Sequence, residues 1–185
     1  MKLVHSKISK NLKWVAMLVV ATFIVQSCSY SFTGSSLHKD IKTMQINEFI
    51  DNSALKNPML AQQFSTDVQN RFNQRTTLKG TKTNPDLLIE GEIVDYNPSS
   101  PATVSSTSVS TTNGGMIQTS QNKMTITVKV HYENRLQPEK NFDRTYTDEA
   151  VFSSDLDINA IEASQIKIVT ERIINKMFND IIADW

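Results

Sequence analysis

Between Met124 and Glu133 apolar and polar residues alternate without a break. Met124, Ile126, Val128, Val130 and Tyr132 take one parity, and Thr125, Thr127, Lys129, His131 and Glu133 take the other. Period two marks a β-strand, because successive side chains leave a pleated backbone on opposite faces. A strand over Met124–Asn134 therefore has one dry face and one wet face. It needs strand neighbours on its edges and a covering layer on its apolar side only.

The flanking sequence supplies the neighbours. Asp86–Tyr96 alternates with Leu87, Ile89, Gly91 and Ile93 on one face, while Leu88, Val94 and Tyr96 make the other face partly apolar. Asn141–Phe152 reads as a third strand, joined by the Asn134–Lys140 turn, where Pro138 stops pairing. Ile41–Ile50 predicts a further strand through Ile41, Met44, Ile46 and Phe49.

Two helices supply the cover. Asn57-Pro58 is a start signal, since Asn caps through its side-chain oxygen and Pro at the first helical position gives up a donor that has no partner there. Leu60, Phe64, Val68 and Phe72 then recur every fourth residue, predicting a helix to about Leu78 that Lys79-Gly80 closes with a left-handed cap. Its other face is neutral amide and hydroxyl: Gln62, Gln63, Ser65, Thr66, Gln69, Asn70 and Asn73. After Ser154 and Asp157, which carry capping chemistry, Ile158, Ile161, Ile166, Val169, Ile173, Met177 and Ile181 form the stripe of a long C-terminal helix. Ile168, Ile174, Phe178 and Trp185 widen it. The predicted fold is α+β, in the order β-α-β-β-β-α: a mixed or antiparallel sheet of about four strands packed against two helices.

Between the strands Asp86–Tyr96 and Met124–Asn134 lies Asn97–Asn122, where 12 of 26 residues are Ser or Thr. A loop this long is usually functional or disordered. The segment is expected to be partly ordered when a partner is present. Alternatively, Thr103–Thr112 extends the hairpin towards the turn signal Asn113-Gly114.

The chain begins with a segment of different character. All four charges in residues 1–27 are positive (Lys2, Lys7, Lys10 and Lys13), and Trp14–Val25 is apolar except for Thr22. That run is too short to span a bilayer, for which about 20 residues are needed, but it suits the apolar region of a secretory signal. It ends in Val25-Gln26-Ser27-Cys28, which resembles a bacterial lipobox, although Gln26 stands where a small residue is usual. Residues 1–27 are thus expected to be a lipoprotein signal peptide, 28–40 a lipidated tether and 41–185 the folded domain. Cys28 is the expected lipid attachment. Stable anchoring takes two or more acyl chains, each contributing about 0.8 kcal/mol per buried CH₂. Ser29 follows the cysteine with no aspartate beside it, which favours the outer membrane and a periplasm-facing body.

Charge excludes one class of partner. The whole chain has 19 basic and 19 acidic residues, and without the leader it has 15 and 19, a net of −4. A nucleic-acid binder carries a basic excess instead. One cysteine builds neither a disulfide framework nor a Cys-rich metal site. Beyond the leader only His38 and His131 remain, with no H-E-x-x-H, no G-x-S-x-G and no phosphate-binding glycine loop. Glu90 and Glu92 share the wet face of a strand, where paired carboxylates are solvated, and His131 reads as a surface imidazole. The expectation is a non-enzyme with no catalytic residue, no metal and no cofactor beyond the covalent lipid.

Several of these segments together resemble the LptE family, the lipopolysaccharide-assembly lipoproteins, in its Bacteroidota branch. They are the lipobox with Cys28-Ser29-Tyr30-Ser31-Phe32, the capped helix, the strand Asp86-Leu87-Leu88-Ile89-Glu90-Gly91-Glu92-Ile93, the strand Met124–Val128, and the ending Met177-Phe178-Asn179-Asp180-Ile181-Ile182-Ala183-Asp184-Trp185. The resemblance implies a plug in the lumen of the large outer-membrane β-barrel LptD that aids barrel assembly and binds lipopolysaccharide during delivery to the outer leaflet. It also implies a lipid-anchored location in the outer membrane, facing the periplasm and the barrel lumen. The amide-rich helix face and the Ser/Thr segment suit a polar barrel interior. Lipopolysaccharide is anionic, so cations at sheet tips are the natural contacts. Lys123, Arg135 and Lys140 are the candidates, with Lys123 expected at the opposite sheet end from the other two. The competing expectation is a free periplasm-facing envelope lipoprotein, acting as an adaptor or small-ligand binder.

Overall fold

The computed structural model describes residues 37–102 and 121–182. The lipobox and Cys28, most of the Ser/Thr-rich segment, and Trp185 lie outside the described residues. The elements are β1 (Thr43–Ile46), β2 (Ile50–Asp51), α1 (Pro58–Arg75), β3 (Lys79–Gly80), β4 (Leu87–Pro101), β5 (Gln121–Asn134), a 3₁₀ turn (Pro138–Lys140), β6 (Phe142–Ser153) and α2 (Ile158–Ile182). They form one mixed six-stranded sheet in the order β3-β1-β4-β5-β6, with β2 beside β4 beyond β1. β1, β2 and β3 run parallel to their neighbours, whereas β4, β5 and β6 form an antiparallel meander. The two helices lie on one face, giving the expected α+β architecture.

β5 is the strand with the unbroken alternation, and it pairs on both sides through most of its length. Met124, Ile126, Val128 and Val130 are fully buried and Tyr132 nearly so. They meet Phe64, Val68 and Phe72 of α1 and Val169, Ile173 and Met177 of α2 in a single core. The Phe72 and Phe178 rings join the helices edge to face at 5.0 Å. Asn57 and Asp157 cap the helices as expected, whereas Ser154 lies in the turn that precedes α2. Asn57 accepts the Leu60 N–H at 3.1 Å, and Asp157 accepts the Asn159 N–H at 3.0 Å.

Four expectations are corrected. Ile41–Ile50 is not one strand: it breaks at Asn47–Phe49, where Phe49 turns inward, and pairing resumes at Ile50. Ser65 is not on the polar face of α1. It is buried, and its Oγ accepts the Phe49 N–H at 2.9 Å, satisfying a backbone donor that the strand break leaves without a ladder partner. The first helix ends at Arg75, because Thr76 turns extended and bonds back to the Phe72 carbonyl through both N–H and hydroxyl. Lys79-Gly80 is then an edge strand rather than a left-handed cap. Finally, Tyr96 is buried on the core side, because a bulge between Ile93 and Asp95 shifts the parity of β4 and leaves Val94 outside.

The β4–β5 hairpin also reaches further than the composition suggests. Asn97–Pro101 belongs to β4, and Pro101 pairs with Asn122. Pro98 and Pro101 are tolerated because β2 has ended at Asp51, so that stretch of β4 is a sheet edge where a missing N–H breaks no ladder bond.

Candidate functional site

Two surfaces remain once the core is assigned: the sheet face that carries no helix, and the end of the sheet where β4 begins.

The open face is organised in cross-strand rows. Asp143, His131 and Glu90 lie side by side on β6, β5 and β4, and His131 Nδ1 is 3.0 Å from an Asp143 carboxylate oxygen. Glu90 accepts an amide N–H of Asn47 at 2.8 Å, and Asn47 accepts one from Gln45 at 2.8 Å. The next row is Thr145, Lys129 and Glu92, followed by Thr147, Thr127 and Asp95, with the Thr127 and Thr147 hydroxyls 3.1 Å apart. Glu149, Thr125 and Asn97 form the fourth row. The centre of this face is therefore hydroxyl, and its charges are mostly acidic: Glu90, Glu92, Asp95, Glu133, Asp143 and Glu149 against Lys123 and Lys129.

The sheet end has the opposite sign, and Asp86 builds it. Its carboxylate accepts the Lys42 N–H at 2.9 Å, the Thr43 N–H at 2.8 Å and the Thr43 hydroxyl at 2.8 Å. The Lys42 N–H and the Thr43 hydroxyl hold that carboxyl below its ordinary range, and the nearby Arg135 charge adds to the effect. Its own carbonyl accepts the Arg135 N–H at 3.0 Å, while Lys79 donates its N–H to the Lys42 carbonyl at 2.9 Å. Lys79, Lys42, Asp86 and Arg135 thus stand in a row across four adjacent segments, with Lys79, Lys42 and Arg135 exposed.

The Arg135 guanidinium donates to Asn84 Oδ1 and, at 3.5 Å, to the Pro85 carbonyl, both neutral acceptors. Asn84 has φ 52°, a left-handed conformation that Asn tolerates better than most residues. On the other side, buried Asn134 ties down the turn by accepting the N–H groups of Leu136 and Gln137 at 3.1 and 3.0 Å. That turn carries Lys140.

Beside the row lies a groove of about 720 Å³ between β1, β3 and α1, lined by Gln45, Asn47, Gln69, Asn73, Thr81 and Lys82 among others. Its wall mixes these amides and the hydroxyl with the apolar Met44 and Ile46 and the carboxylate of Glu48. The polar face of α1 therefore contributes to a concave surface rather than to a convex one.

Of the three candidates, Arg135 and Lys140 share the basic end. Lys123 stands near the start of β5, about 40 Å away at roughly 3.3 Å per residue, and its ammonium bridges Glu149 at 2.7 Å. Lys42, Lys79 and Lys82 were missed. The signal that brings them in is the parallel pairing of two short edge strands, which local periodicity does not carry. Among the described residues no group of three His, Cys, Asp or Glu side chains is placed to hold a metal. No described helix is long and apolar enough to cross a membrane.

The structure is thus a two-layer α+β body with an open polar sheet face and a basic sheet end. The sequence matches the LptE family, lipopolysaccharide-assembly, over residues 41–184, and the chain belongs to that family. It is thus a member of a non-enzymatic lipoprotein family of the outer membrane.

No curated protein matches the chain by sequence. Solved structures of similar shape include a minor lipoprotein from Acinetobacter baumannii, at 12% identity and TM-score 0.48, covering 76% of this chain and 92% of that one. The hypothetical protein CT253 from Chlamydia trachomatis gives 10% identity and TM-score 0.48, with 77% and 99% covered. Rare lipoprotein B from Shewanella oneidensis gives 10% identity and TM-score 0.39, with 73% and 94% covered.

Proposed function

We propose that this protein is acylated at Cys28, is held by that lipid at the outer membrane, and occupies the lumen of a large LptD-type β-barrel. There it aids barrel assembly and assists the delivery of lipopolysaccharide to the outer leaflet. The observation that carries the reading is the open sheet face. A broad, ordered face with Thr125, Thr127, Thr145 and Thr147 near its centre offers hydrogen bonds to a polar barrel wall, and some of the charges around it already have partners, Glu149 with Lys123 and Asp143 with His131.

The same charges divide the work. Six carboxylates around that face repel an anionic glycolipid, so the lipopolysaccharide contact belongs at the basic end. Lys42, Lys79, Lys82, Arg135 and Lys140 would meet its phosphates. The amide-lined groove beside them suits the hydroxyls of its sugars. Lys123, bridged to Glu149, would make a separate contact at the far end.

The test is association. Tagged protein extracted gently from outer membranes should copurify with one barrel protein of much larger mass. Recovery as a lone monomer under several mild detergents refutes the plug and favours the free envelope adaptor. Replacing Cys28 with Ala should abolish acyl labelling, and persistent labelling would show that the anchor lies elsewhere.

A further inference from the structure

The two ends of the folded body differ in charge. At the end where β4 begins, Lys39, Lys42, Arg75, Lys79, Lys82 and Arg135 are exposed, against Asp40, Asp86, Glu133 and Glu139. Two of those acids are engaged: Asp86 with the backbone of Lys42 and Thr43, and Asp40 with His38 at 3.3 Å. The far end, where α1 and α2 begin, carries Asp51, Asp155, Asp157 and Glu162, against Lys56 and the bridged Lys123.

The described chain enters the fold at the basic end. The Ile41 N–H donates to the His38 carbonyl at 3.0 Å, closing a turn just ahead of β1, and half-buried Leu37 packs against the core. Nine residue steps separate Leu37 from Cys28. Fully extended, they reach about 30 Å at roughly 3.3–3.6 Å per residue. The body is longer than that. β5 runs 14 residues from Gln121 at the far end to Asn134 at the basic end, about 43 Å at roughly 3.3 Å per residue.

We infer that the basic end is the surface on which the anchored body rests, and that its partner is the anionic phospholipid headgroups of the leaflet holding the acyl chains. Resting on the acylation at Cys28 proposed above, this contact gives the cations assigned to lipopolysaccharide a second phosphate-bearing partner. The tether rules out an inverted posture, because it is too short to let the acidic end down while Leu37 points away from the bilayer. Charge then decides between upright and side-lying postures. Each lysine or arginine brought to an anionic lipid surface favours that position about fivefold, and the same surface repels the acids of the far end. Exposed Leu136, beside Arg135 in the turn, adds an apolar side chain to the contact.

The test uses the mature acylated protein reconstituted in vesicles that contain neither lipopolysaccharide nor a barrel, so its failure leaves the lipopolysaccharide reading untouched. A fluorophore is placed on Thr83→Cys at the basic end or on Ser154→Cys at the far end, both exposed positions. Quenching by a nitroxide carried on lipid headgroups reads the distance of each label from the bilayer. In vesicles of phosphatidylethanolamine and phosphatidylglycerol, the Thr83 label should be quenched several-fold more than the Ser154 label. That contrast should be largely lost when phosphatidylcholine replaces phosphatidylglycerol, and also in the Lys42→Gln, Lys79→Gln, Arg135→Gln variant. Equal quenching of both labels in the phosphatidylglycerol vesicles overturns the inference. So does a contrast that neither change reduces, because the tether alone would then set the posture. Mass spectrometry of Cys28 separates this result from a failure of the anchor. If Cys28 is unmodified, the anchor is refuted and the surface is judged by cosedimentation of the same chain. Capture by phosphatidylglycerol vesicles that the three Gln changes abolish supports the contact, and capture no greater than by phosphatidylcholine vesicles overturns it.

Discussion

Replacing Gly91 with alanine tests the least obvious joint in the fold. Where the edge strand breaks, Phe49 crosses over β4 and its ring occupies the space above Gly91. A Cβ there would lie 2.7 Å from Phe49 Cε1 and 3.1 Å from Cδ1, and closer still to the Lys129 carbonyl oxygen. Neither neighbour yields easily. The Phe49 ring is 4% exposed, packs edge to face on Phe64 at 4.9 Å, and has its backbone N–H tied to Ser65. The Lys129 carbonyl belongs to β5, which is paired on both sides. Overpacking of this kind costs about 1–3 kcal/mol, and a rigid backbone contact puts it near the upper end. The lost freedom of the unfolded glycine returns about 0.4–1 kcal/mol. The net loss is about 2 kcal/mol, or roughly 4–8 °C in Tm for a domain of about 150 residues. Gly80→Ala is the control: nothing lies within 4 Å of its added methyl, so Tm should hold or rise slightly. Thermal unfolding followed by circular dichroism reads both. If Gly91→Ala unfolds within a degree of the parent, Phe49 does not cross β4 as described, and the account of the broken edge strand fails with it.

Other perturbations separate the remaining joints. Asn57→Ala removes the acceptor for the Leu60 N–H and should cost about 1 kcal/mol, seen as a lower urea midpoint with an unchanged slope. Asp86 has a lowered carboxyl pKa, so its contribution is present above the unfolded value of about 3.9 and is lost as pH falls through the folded value. The urea midpoint should therefore decline below about pH 4, less steeply in Asp86→Asn, and identical acid profiles would show that Asp86 does not hold the sheet end. Changing Lys42, Lys79 and Arg135 together to Gln should weaken lipopolysaccharide binding by about tenfold to a hundredfold, taking about 0.5–1 kcal/mol for each exposed charge. Titration with purified lipopolysaccharide at two salt concentrations checks this, and equal affinity in both proteins would remove the basic end from the site.

Much of the architecture was legible because it rests on long periodic segments. β5 alternates cleanly since it is central, with one face under the helices and the other open, so burial follows parity along its whole length. α1 and α2 announced themselves by capping residues and four-residue spacing. What stayed hidden is non-local. β2 and β3 are two residues each, too short to show any period, and their parallel pairing joins segments more than thirty residues apart. The bulge after Ile93 reverses the parity of β4, so Tyr96 looked outward in the alternation and is buried. Ser65 read as part of a polar helix face, because only the Phe49 backbone reveals why a hydroxyl belongs there. The candidate site divides along the same line. Arg135 and Lys140 were visible as turn cations next to a clean strand, whereas Lys42, Lys79 and Lys82 join them only through the edge pairing.

The separation of charge on this body constrains any path an anionic ligand takes across it. Lys123 and Lys129 leave the open face acidic on balance, because Glu149 pairs with the first, Glu92 stands opposite the second in its own row, and Glu90 lies in the next. At the sheet end the balance is reversed by construction. Asp86 spends its carboxylate on the Lys42 and Thr43 N–H groups and the Thr43 hydroxyl, so it shapes the end without saturating the lysine and arginine charges around it. Arg135 is oriented by Asn84 and Pro85, neutral acceptors that fix its direction and leave its charge. A site meant only to stabilise the turn would pair these cations with carboxylates, as α2 does with Asp148 and Asp180. The basic end differs: Asp86 is turned to the backbone while Lys42, Lys79 and Arg135 are exposed, the arrangement that the proposed anion contact requires.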